Sequence, residues 1–273
     1  LAALPADAAD RVAALRARTG AADLGSLRAR LLGYVAGASS TTTCDPTEFD
    51  TWVAGSVSGL TLDDLLVIVL LGVDQWPALD ALLYVSPGAP AYGLGSRTHV
   101  LTKAVTQTKR FWNVNTSDVQ LLGMHGSMLL DKARVKRLVK VLFEVGDDEA
   151  DHAATEMVTL LSAPRFHGGN LPILTLNAFA FSSKGAELFP GSGIIPDKLI
   201  VGDGILVAFD ELGLGDVAPQ ALVAHEMGHH VQFELGMAPG GTAAGNRRVE
   251  LHADASAAYV LAHPRGMSMQ WKR

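Results

Sequence analysis

The chain contains 273 residues, and its formal net charge is −6 at pH 7. Hydrophobic residues make up 48% and charged residues 18%, a composition that is ordinary for a folded globular protein and excludes a disordered chain. The negative net charge disfavours nucleic-acid binding, which usually needs a concentrated positive surface.

The first 165 residues are predicted to form a helical region. Apolar residues at helical spacing predict helices over residues 4–18 and 23–34. A run of Ser and Thr residues ends at Cys44 and is followed by Asp45 and Pro46, which predicts a loop that enters another helix. No repeat of fixed period is present, so a solenoid is disfavoured.

Two features bear on processing and on the compartment. Cys44 is the single cysteine, so the chain forms no intrachain disulfide and its fold must be held by packing, with or without a metal. A catalytic role for this thiol is disfavoured, because no cation or histidine lies beside it in the sequence. The first residue is Leu1 rather than methionine, so we expect a processed or trimmed start. Neither feature assigns a compartment.

The most apolar stretch of the chain, residues 65–73, is predicted to be a buried helix. Thr61 and Asp64 have the spacing of a helix start, with Thr61 as the cap and Asp64 three residues further on. A membrane-spanning helix needs about twenty apolar residues, and this run is far shorter. We therefore predict no transmembrane segment.

Two further helices are predicted over residues 127–145 and 147–161, joined at Gly146 as a helical hairpin. The first contains basic residues two to four positions apart, as expected for the solvated face of an amphipathic helix. These residues are Lys132, Arg134, Lys136, Arg137 and Lys140. The alternative, a binding site for an anionic partner, is disfavoured but stays open.

The character of the sequence changes after Pro164. Residues 172–181 include β-branched and aromatic residues that predict a strand, and residues 198–202 predict a second strand. The triplet Gly202-Asp-Gly204 that follows is interpreted as a turn. A phosphate-binding role for it is disfavoured, because neither the dinucleotide-binding nor the P-loop spacing surrounds it.

Two helices are predicted to close the chain. Asp216 can cap the first helix, Pro219 lies in its opening turn, and Gly236 can end it. Asn246 can cap the second helix, and Pro264 should stop it.

The first of these helices contains a metal-binding pattern, His225-Glu226-Met-Gly-His229. Residues four apart on an α-helix differ by about 40° in rotation, so both imidazoles project from one face and can bind one cation. Neutral imidazole suits zinc, and a catalytic zinc ion typically has three protein ligands and an open position for water. Glu226 is placed beside that water as the general base. A chance cluster is disfavoured, because burying these groups without partners would cost roughly several kcal/mol.

A third ligand is expected from the second helix. The metzincin pattern would need Gly and His where the chain has Gln232 and Leu235, so that class is excluded. Glu250 is the predicted third ligand, as in sites with two histidines and one glutamate. Asp254 lies one turn further on the same face, and we predict that it accepts the second N–H of a ligand histidine.

Other polar residues of these helices have more than one interpretation. His230 is rotated about 100° from the histidine pair and is assigned to structure, and His252 is expected to point to the opposite side of its helix. Tyr259 and His263 are candidates for the donor that stabilises the anionic intermediate, on sequence proximity alone. Packing roles for these last two residues stay open.

The motif residues resemble a known family. Residues 225–232, which contain the two predicted histidine ligands, resemble the motif of bacterial neutral zinc metallopeptidases. Glu250-Leu-His-Ala-Asp254 resembles the second-helix signature of the same proteins, which are gluzincin metallopeptidases. The resemblance covers residues 171–261. It implies an α+β fold that is mainly helical, with a zincin-like catalytic domain over residues 166–273 that contains a small sheet and an active-site helix.

A second segment resembles the CAAX prenyl endopeptidase and HtpX-like group. Asn177-Ala-Phe-Ala180, followed by residues 200–205, is similar to a segment that forms an edge strand and aligns peptide substrate in that group. An extended peptide can add to an exposed sheet edge through main-chain hydrogen bonds. The residues predicted to bind substrate are Asn177, Ala178, Phe179 and Ala180.

The sequence thus predicts a zinc-dependent endopeptidase with one zinc ion per chain and a peptide or protein substrate. A prenylated or membrane-embedded substrate is disfavoured, because no membrane-spanning helix is predicted. Two alternatives stay open. The chain could be a zinc-stabilised binding module without turnover, or a helical interaction protein in which the metal site is incidental.

Overall fold

The computed structural model describes residues 5–19, 45–85, 88–188, 191–237 and 242–269. Within these ranges the protein is mainly helical and has one small sheet, which confirms the predicted α+β class. The helix predicted over residues 23–34 lies outside the described residues.

Ten α-helices and three strands make up the described regular structure. The helices are α1 (Ala8–Thr19), α2 (Glu48–Val57), α3 (Leu62–Leu71), α4 (Trp76–Leu83), α5 (Thr98–Phe111), α6 (Lys132–Phe143), α7 (Asp147–Leu161), α8 (Asp203–Glu211), α9 (Ala218–Glu234) and α10 (Ala243–Ala262). The strands are β1 (Gln120–Met124), β2 (Ala178–Phe181) and β3 (Lys198–Gly202). The strand order is β1-β3-β2, and β2 runs antiparallel to β3.

The chain divides into two compact units, each built from three separate stretches. The first unit contains Leu1–Val85, Met124–Asn177 and Gly202–Ala208, and the second contains Ser86–Gly123, Ala178–Val201 and Phe209–Arg273. Both predicted metal-binding helices belong to the second unit. The expected division into a helical region over residues 1–165 and a catalytic region over residues 166–273 stays a prediction.

The predicted start of the buried helix α3 is confirmed. The Thr61 hydroxyl accepts a hydrogen bond from the Asp64 N–H, and the Asp64 carboxylate accepts one from the Thr61 N–H at 2.9 Å. Arg165 also donates to Asp64, and this contact holds the pKa of the carboxyl at about 2. The helix ends at Gly72, which has the left-handed conformation (φ 62°) that favours glycine.

The helical hairpin is also confirmed, but its first helix is shorter than predicted. Asp131 accepts hydrogen bonds from two N–H groups of the first turn, so α6 begins at Lys132 rather than at residue 127. The lysines of α6 form ion pairs with Asp147 and Asp151 of α7. The arginines are not simply solvated, because both bind Asp80 of α4.

Two predictions around the sheet need correction. The segment predicted as one strand over residues 172–181 begins as a 3-10 helix, Pro172–Thr175, and only β2 is extended. The turn predicted at Gly202-Asp-Gly204 is wrong, because β3 leads directly into α8. A Cβ atom at Gly202 would lie 2.0 Å from the Thr175 carbonyl oxygen, and one at Gly204 would lie 1.9 Å from that of Pro172. These glycines permit close backbone packing rather than a turn.

The helices of the predicted metal site have different caps from those expected. Asp216 does not cap α9, which begins after Val217 without a side-chain cap. Asn246 lies inside α10, and Thr242 is the cap because its hydroxyl accepts from the Gly245 N–H at 3.0 Å.

The expected roles of three other residues are confirmed: Pro219 opens α9, Gly236 follows its end with a φ of 68°, and Pro264 follows the end of α10.

Among the described residues no single helix is long and apolar enough to cross a membrane. The helices α2 and α3 meet the length and composition requirements only as a pair, and their axes are bent by 109°.

The buried carboxylate of Asp80 provides a test of the first unit. Its side chain is 0% exposed and accepts hydrogen bonds from Arg134 at 2.9 Å and from Arg137 at 2.7 Å. Replacing Asp80 with Asn leaves two guanidinium groups, whose side chains are 16% and 39% exposed, without their counter-charge, so Asp80→Asn should destabilise the protein by about 1 to 3 kcal/mol. Urea denaturation measures this loss. The exposed Lys132 and Asp151 pair is the control, and an equal loss for Asp151→Asn would contradict the assignment.

Candidate metal centre

The two helices of the site approach each other closely at a glycine. A Cβ atom added at Gly228 of α9 would lie 3.2 Å from the Ala253 Cα atom of α10, which is closer than most real contacts. Ala253 is fully buried at this crossing. Two small residues therefore bring the backbones together, and the longer side chains on either side of the crossing can meet across the gap.

Three of these side chains converge on one point. His225 Nε2 and His229 Nε2 are 3.1 Å apart. The Glu250 Oε2 atom is 3.3 Å from His225 Nε2 and 3.4 Å from His229 Nε2. The three atoms form a nearly equilateral triangle. Within the described residues this is the only group of three or more His, Cys, Asp or Glu side chains that could hold a metal ion.

The triangle has the dimensions that a zinc site requires. Zinc binds nitrogen and oxygen at about 2.0 to 2.2 Å, so the ligand atoms of a tetrahedral site lie about 3.3 to 3.6 Å apart. The two separations from Glu250, 3.3 and 3.4 Å, lie within this range, and the histidine nitrogens at 3.1 Å are about 0.2 Å closer than its lower limit. The donor set of two imidazoles and one carboxylate also suits zinc. The residues present therefore fit the ion.

The outer nitrogen of each ligand histidine is held by a hydrogen bond. His225 Nδ1 lies 2.9 Å from Asp254 Oδ1, which is the contact predicted from the sequence. His229 Nδ1 lies 2.9 Å from Gln232 Oε1. Each oxygen accepts a hydrogen from Nδ1, so in the neutral form of each histidine the lone pair is on Nε2 and points into the triangle.

Gln232 is a residue of the site that the sequence interpretation missed. Its side chain is 1% exposed, and its Nε2 atom lies 2.8 Å from the Val249 carbonyl oxygen and 3.0 Å from His252 Nδ1. The available signal was a buried amide three residues after His229, close to the same helix face. In the sequence this position excluded the metzincin pattern and ended the motif that resembles neutral zinc metallopeptidases, but it was given no role in the site.

Glu226 is buried beside the triangle. Its side chain is 6% exposed, and its carboxylate accepts a hydrogen bond from the Ala180 N–H of β2. Burial raises the pKa of Glu226 to about 7, although the positive charges of His229 and His225 oppose the rise. A carboxylate with this pKa can take up and release a proton near neutral pH.

The charges of the triangle are strongly coupled. Burial by itself lowers the pKa of His225, but the contact with Glu250 and the charges of Glu226 and Asp254 outweigh it and raise the pKa to about 9. The same balance raises the pKa of His229. Contacts with His225 and His229 hold the pKa of Glu250 well below its usual range. Without a cation, protons on the histidines balance the two glutamates.

The two remaining histidines of these helices have structural contacts. His230 is 1% exposed and its Nε2 donates to the Lys198 carbonyl oxygen at 3.0 Å, which agrees with the structural role predicted for it. The expectation that His252 points away from the site is wrong, because its Nδ1 accepts from Gln232. His252 therefore belongs to the hydrogen-bond network behind His229.

The predicted substrate-binding segment forms an edge of the sheet. Phe179 and Ala178 are buried, and Ala180 is partly exposed. Asn177 precedes β2 in the chain, and its carbonyl accepts from the Gly202 N–H at 2.9 Å. Because hydrogen-bonded and non-hydrogen-bonded pairs alternate, the backbone groups of Ala178 and Ala180 point away from β3. The Ala180 N–H that reaches Glu226 agrees with this direction.

The structure does not bring Tyr259 and His263 to the triangle. Nine residues along α10 separate Glu250 from Tyr259, which corresponds to about 14 Å along the axis and about 180° of rotation. Tyr259 instead packs against His263 with ring centroids 5.1 Å apart, and both contact Phe111. These contacts favour the packing interpretation of both residues.

Comparison with known proteins gives no relative. No protein-family model matches the chain, and no curated protein and no solved structure matches it. The residues and the geometry of the site are therefore the basis for assigning a function.

The metal assignment predicts zinc content directly. Purified protein should hold about one zinc ion per chain, His225→Ala or His229→Ala should remove it, and Glu250→Ala should weaken its binding strongly. Loss of the ion should also lower the melting temperature, because binding to the native state alone stabilises it by about 2.7 kcal/mol at 100 times Kd. Elemental analysis and calorimetry measure the two effects. His152→Ala, at an exposed position of α7, is the control. Full occupancy in a ligand variant would show that the triangle is misassigned.

The pKa shifts predict how zinc binding depends on pH. His225 has a pKa of about 9 without metal, and a protonated imidazole cannot be a ligand. Each zinc ion bound below about pH 9 must therefore displace at least one proton, so the apparent affinity should rise roughly tenfold per pH unit between about pH 7 and 9. Zinc titration by calorimetry in buffers of different ionisation enthalpy counts these protons. An affinity that is constant over this interval would contradict the charge assignment.

Proposed function

We propose that the protein is a zinc-dependent endopeptidase, with His225, His229 and Glu250 as ligands and Glu226 as the general base. The observation on which the proposal rests is the triangle of ligand atoms with a buried glutamate beside it. Each part alone has another explanation, since paired histidines and buried acids both occur in structural roles. A carboxylate that directly follows a ligand histidine and is not itself a ligand is expected for a hydrolytic site.

The chemistry divides between the ion and the protein. Zinc held by the three ligands would lower the pKa of water towards about 7 and polarise the scissile carbonyl group. Glu226 accepts the proton of the attacking water on its carboxylate and passes it to the leaving amine. Positive charge at the triangle favours the ionised form of Glu226, so the base is ready at neutral pH. Asp254 and Gln232 hold the imidazoles in the orientation that binding requires.

The edge strand supports a peptide as the substrate. The outward N–H and C=O groups of Ala178 and the C=O group of Ala180 can pair with an extended chain, and such pairing does not depend on side chains. Because the Ala180 N–H contacts Glu226, a peptide placed along β2 passes directly by the base. Glu250 is 57% exposed and Asp254 is 65% exposed, so this side of the site is open to a long chain. These features favour cleavage within a chain.

The proposal extends to the protein class. The arrangement of two histidines and a glutamate from two successive helices, with an edge strand beside them, is that of the gluzincin metallopeptidases that the motifs resemble. A zincin-like catalytic region over residues 166–273 is part of this proposal. The mainly helical α+β class is the coarser observation that supports it.

A zinc-stabilised binding module without turnover is the second candidate. The observation in its favour is the position of Tyr259 and His263, because neither predicted donor for the anionic intermediate lies at the triangle. Such a module would hold zinc and bind extended peptides without cleaving them.

Glu226→Gln separates chemistry from metal binding. The change keeps the size of the side chain and removes its basicity, so zinc content and fold should survive. Positioned acid-base catalysis typically contributes about 10² to 10⁴ in rate, and peptide cleavage should fall by at least that factor. The measurement is turnover of an unfolded protein substrate at matched zinc occupancy.

Two further comparisons complete this experiment. Asp148→Asn, an exposed change in the first turn of α7, should leave cleavage unchanged and excludes a general effect of removing a charge. A Glu226→Gln variant that cleaves at nearly the rate of the unmodified protein would remove Glu226 as the base. An unmodified protein that binds zinc and never cleaves would favour the binding module.

A further inference from the structure

We propose that Gln232 is a positioning residue that fixes two of the three zinc ligands at once, one on each helix. This inference rests on the proposed zinc centre and adds a residue to it. The side-chain oxygen of Gln232 contacts His229 of α9, and its nitrogen contacts the backbone of α10 beside Glu250. One buried amide therefore connects the ligands of both helices.

The contacts of Gln232 allow only one orientation of its amide. Its Nε2 lies 2.8 Å from the Val249 carbonyl oxygen, which can only accept, so this position must be the donor. The second hydrogen of the same nitrogen points to His252 Nδ1 at 3.0 Å. The oxygen is left facing His229 Nδ1 at 2.9 Å, and it can only accept. Exchanging the two ends of the amide would put two acceptors in contact at Val249.

This orientation determines which nitrogen of His229 is free to bind metal. An acceptor at Nδ1 requires the hydrogen there, so the lone pair is on Nε2, at the corner of the triangle. The neutral amide of Gln232 thus holds the His229 imidazole in the form that can bind a metal through Nε2. His225 has the charged Asp254 in the equivalent place.

The contact with Val249 acts on the third ligand through the peptide plane. The Val249 carbonyl and the Glu250 N–H belong to the same planar peptide group, whose atoms move together. A hydrogen bond to that carbonyl therefore fixes the rotation of α10 about its axis at the residue that supplies the carboxylate. The Glu250 side chain itself is 57% exposed and has little packing to hold it. Its placement depends on its backbone.

The two residues behind the histidines should therefore differ in importance. Asp254 is 65% exposed, so water can replace its contact with His225. Gln232 is 1% exposed, its contact with Val249 is buried and its contacts with the two histidines are partly buried, so water replaces them less readily. Loss of a partner behind a ligand typically weakens metal affinity about 10 to 100-fold. We expect Gln232→Met to reach the upper part of that range and Asp254→Ala the lower part.

The first experiment measures zinc affinity by competition with a chromophoric chelator. Gln232→Met keeps the length and burial of the side chain and removes all three hydrogen bonds. Val223→Ala is the control, because Val223 is fully buried in α9 and lies about 160° from His225 and about 120° from His229 in rotation around the helix. It lowers stability by removing buried methyl groups and should leave the affinity within about twofold. A similar loss of affinity in both variants would show that Gln232 acts through stability alone.

The second experiment asks whether Gln232 acts through Glu250. Zinc affinity is measured in the unmodified protein, Gln232→Met, Glu250→Ala and the double variant. Once Glu250 is absent, its placement no longer matters, so Gln232→Met should cost clearly less in that background. Equal losses in both backgrounds would overturn the role of Gln232 in positioning Glu250.

A spectroscopic measurement tests the contact with His229. In zinc-loaded protein, the Nδ1 hydrogen of His229 should exchange slowly with solvent and give an NMR resonance. Gln232→Glu retains an acceptor and should preserve this resonance, whereas Gln232→Met should lose it. If both variants preserve it, His229 has another partner and the proposed role is wrong. Failure of the unmodified protein to bind zinc would instead overturn the centre itself, so the two failures are distinguishable.

Discussion

The proposed metal centre depends on how closely two helices approach. Gly228 has no side chain and Ala253 has one of the smallest, so α9 and α10 meet backbone to backbone at their crossing. If that distance were larger by the width of a methyl group, Glu250 could not lie 3.3 to 3.4 Å from both imidazoles. Gln232 spans the same narrow gap, and its hydrogen bond to Val249 would be lost with the approach. The ligand geometry is therefore a consequence of packing at a position that is not a ligand.

The charges of the same region must also be balanced. Glu226 and Glu250 bring two carboxylates into a partly buried site, which is unfavourable unless positive charge accompanies them. Without metal, protons on His225 and His229 supply that charge, as the raised pKa values of both imidazoles indicate. A divalent ion can replace these protons and leave the net charge of the site nearly unchanged. On the proposed metal assignment the site would have two balanced states, which differ in whether its histidines are ligands or ion-pair partners.

Predictions from the sequence succeeded where a local spacing of residues has one dominant structural meaning. The spacing of His225 and His229 fixes a shared face, and Thr61 with Asp64 fixes a helix start.

Sequence reasoning failed where packing between distant parts of the chain decides the structure. Helix α4 is buried all round, from Trp76 to Leu82, and so lacks the amphipathic pattern that marks a helix. Gly202-Asp-Gly204 has the composition of a turn, but its glycines serve backbone contacts with residues distant in the chain. Gln232 was missed because a single amide has many possible partners, and only the fold selects among them.

The proposed pairing of peptides with β2 has a consequence for the lifetime of the protein. Backbone groups that pair with any extended chain do not distinguish a foreign peptide from an unfolded copy of the same protein. On the proposed function, each molecule that unfolds is a potential substrate for those that remain folded. The rate of self-digestion would then follow the unfolded population, which rises about tenfold for each 1.4 kcal/mol of stability lost. A substitution at a residue that is not part of the site, such as Asp80, would appear in a stored sample as proteolysis before it appeared as aggregation.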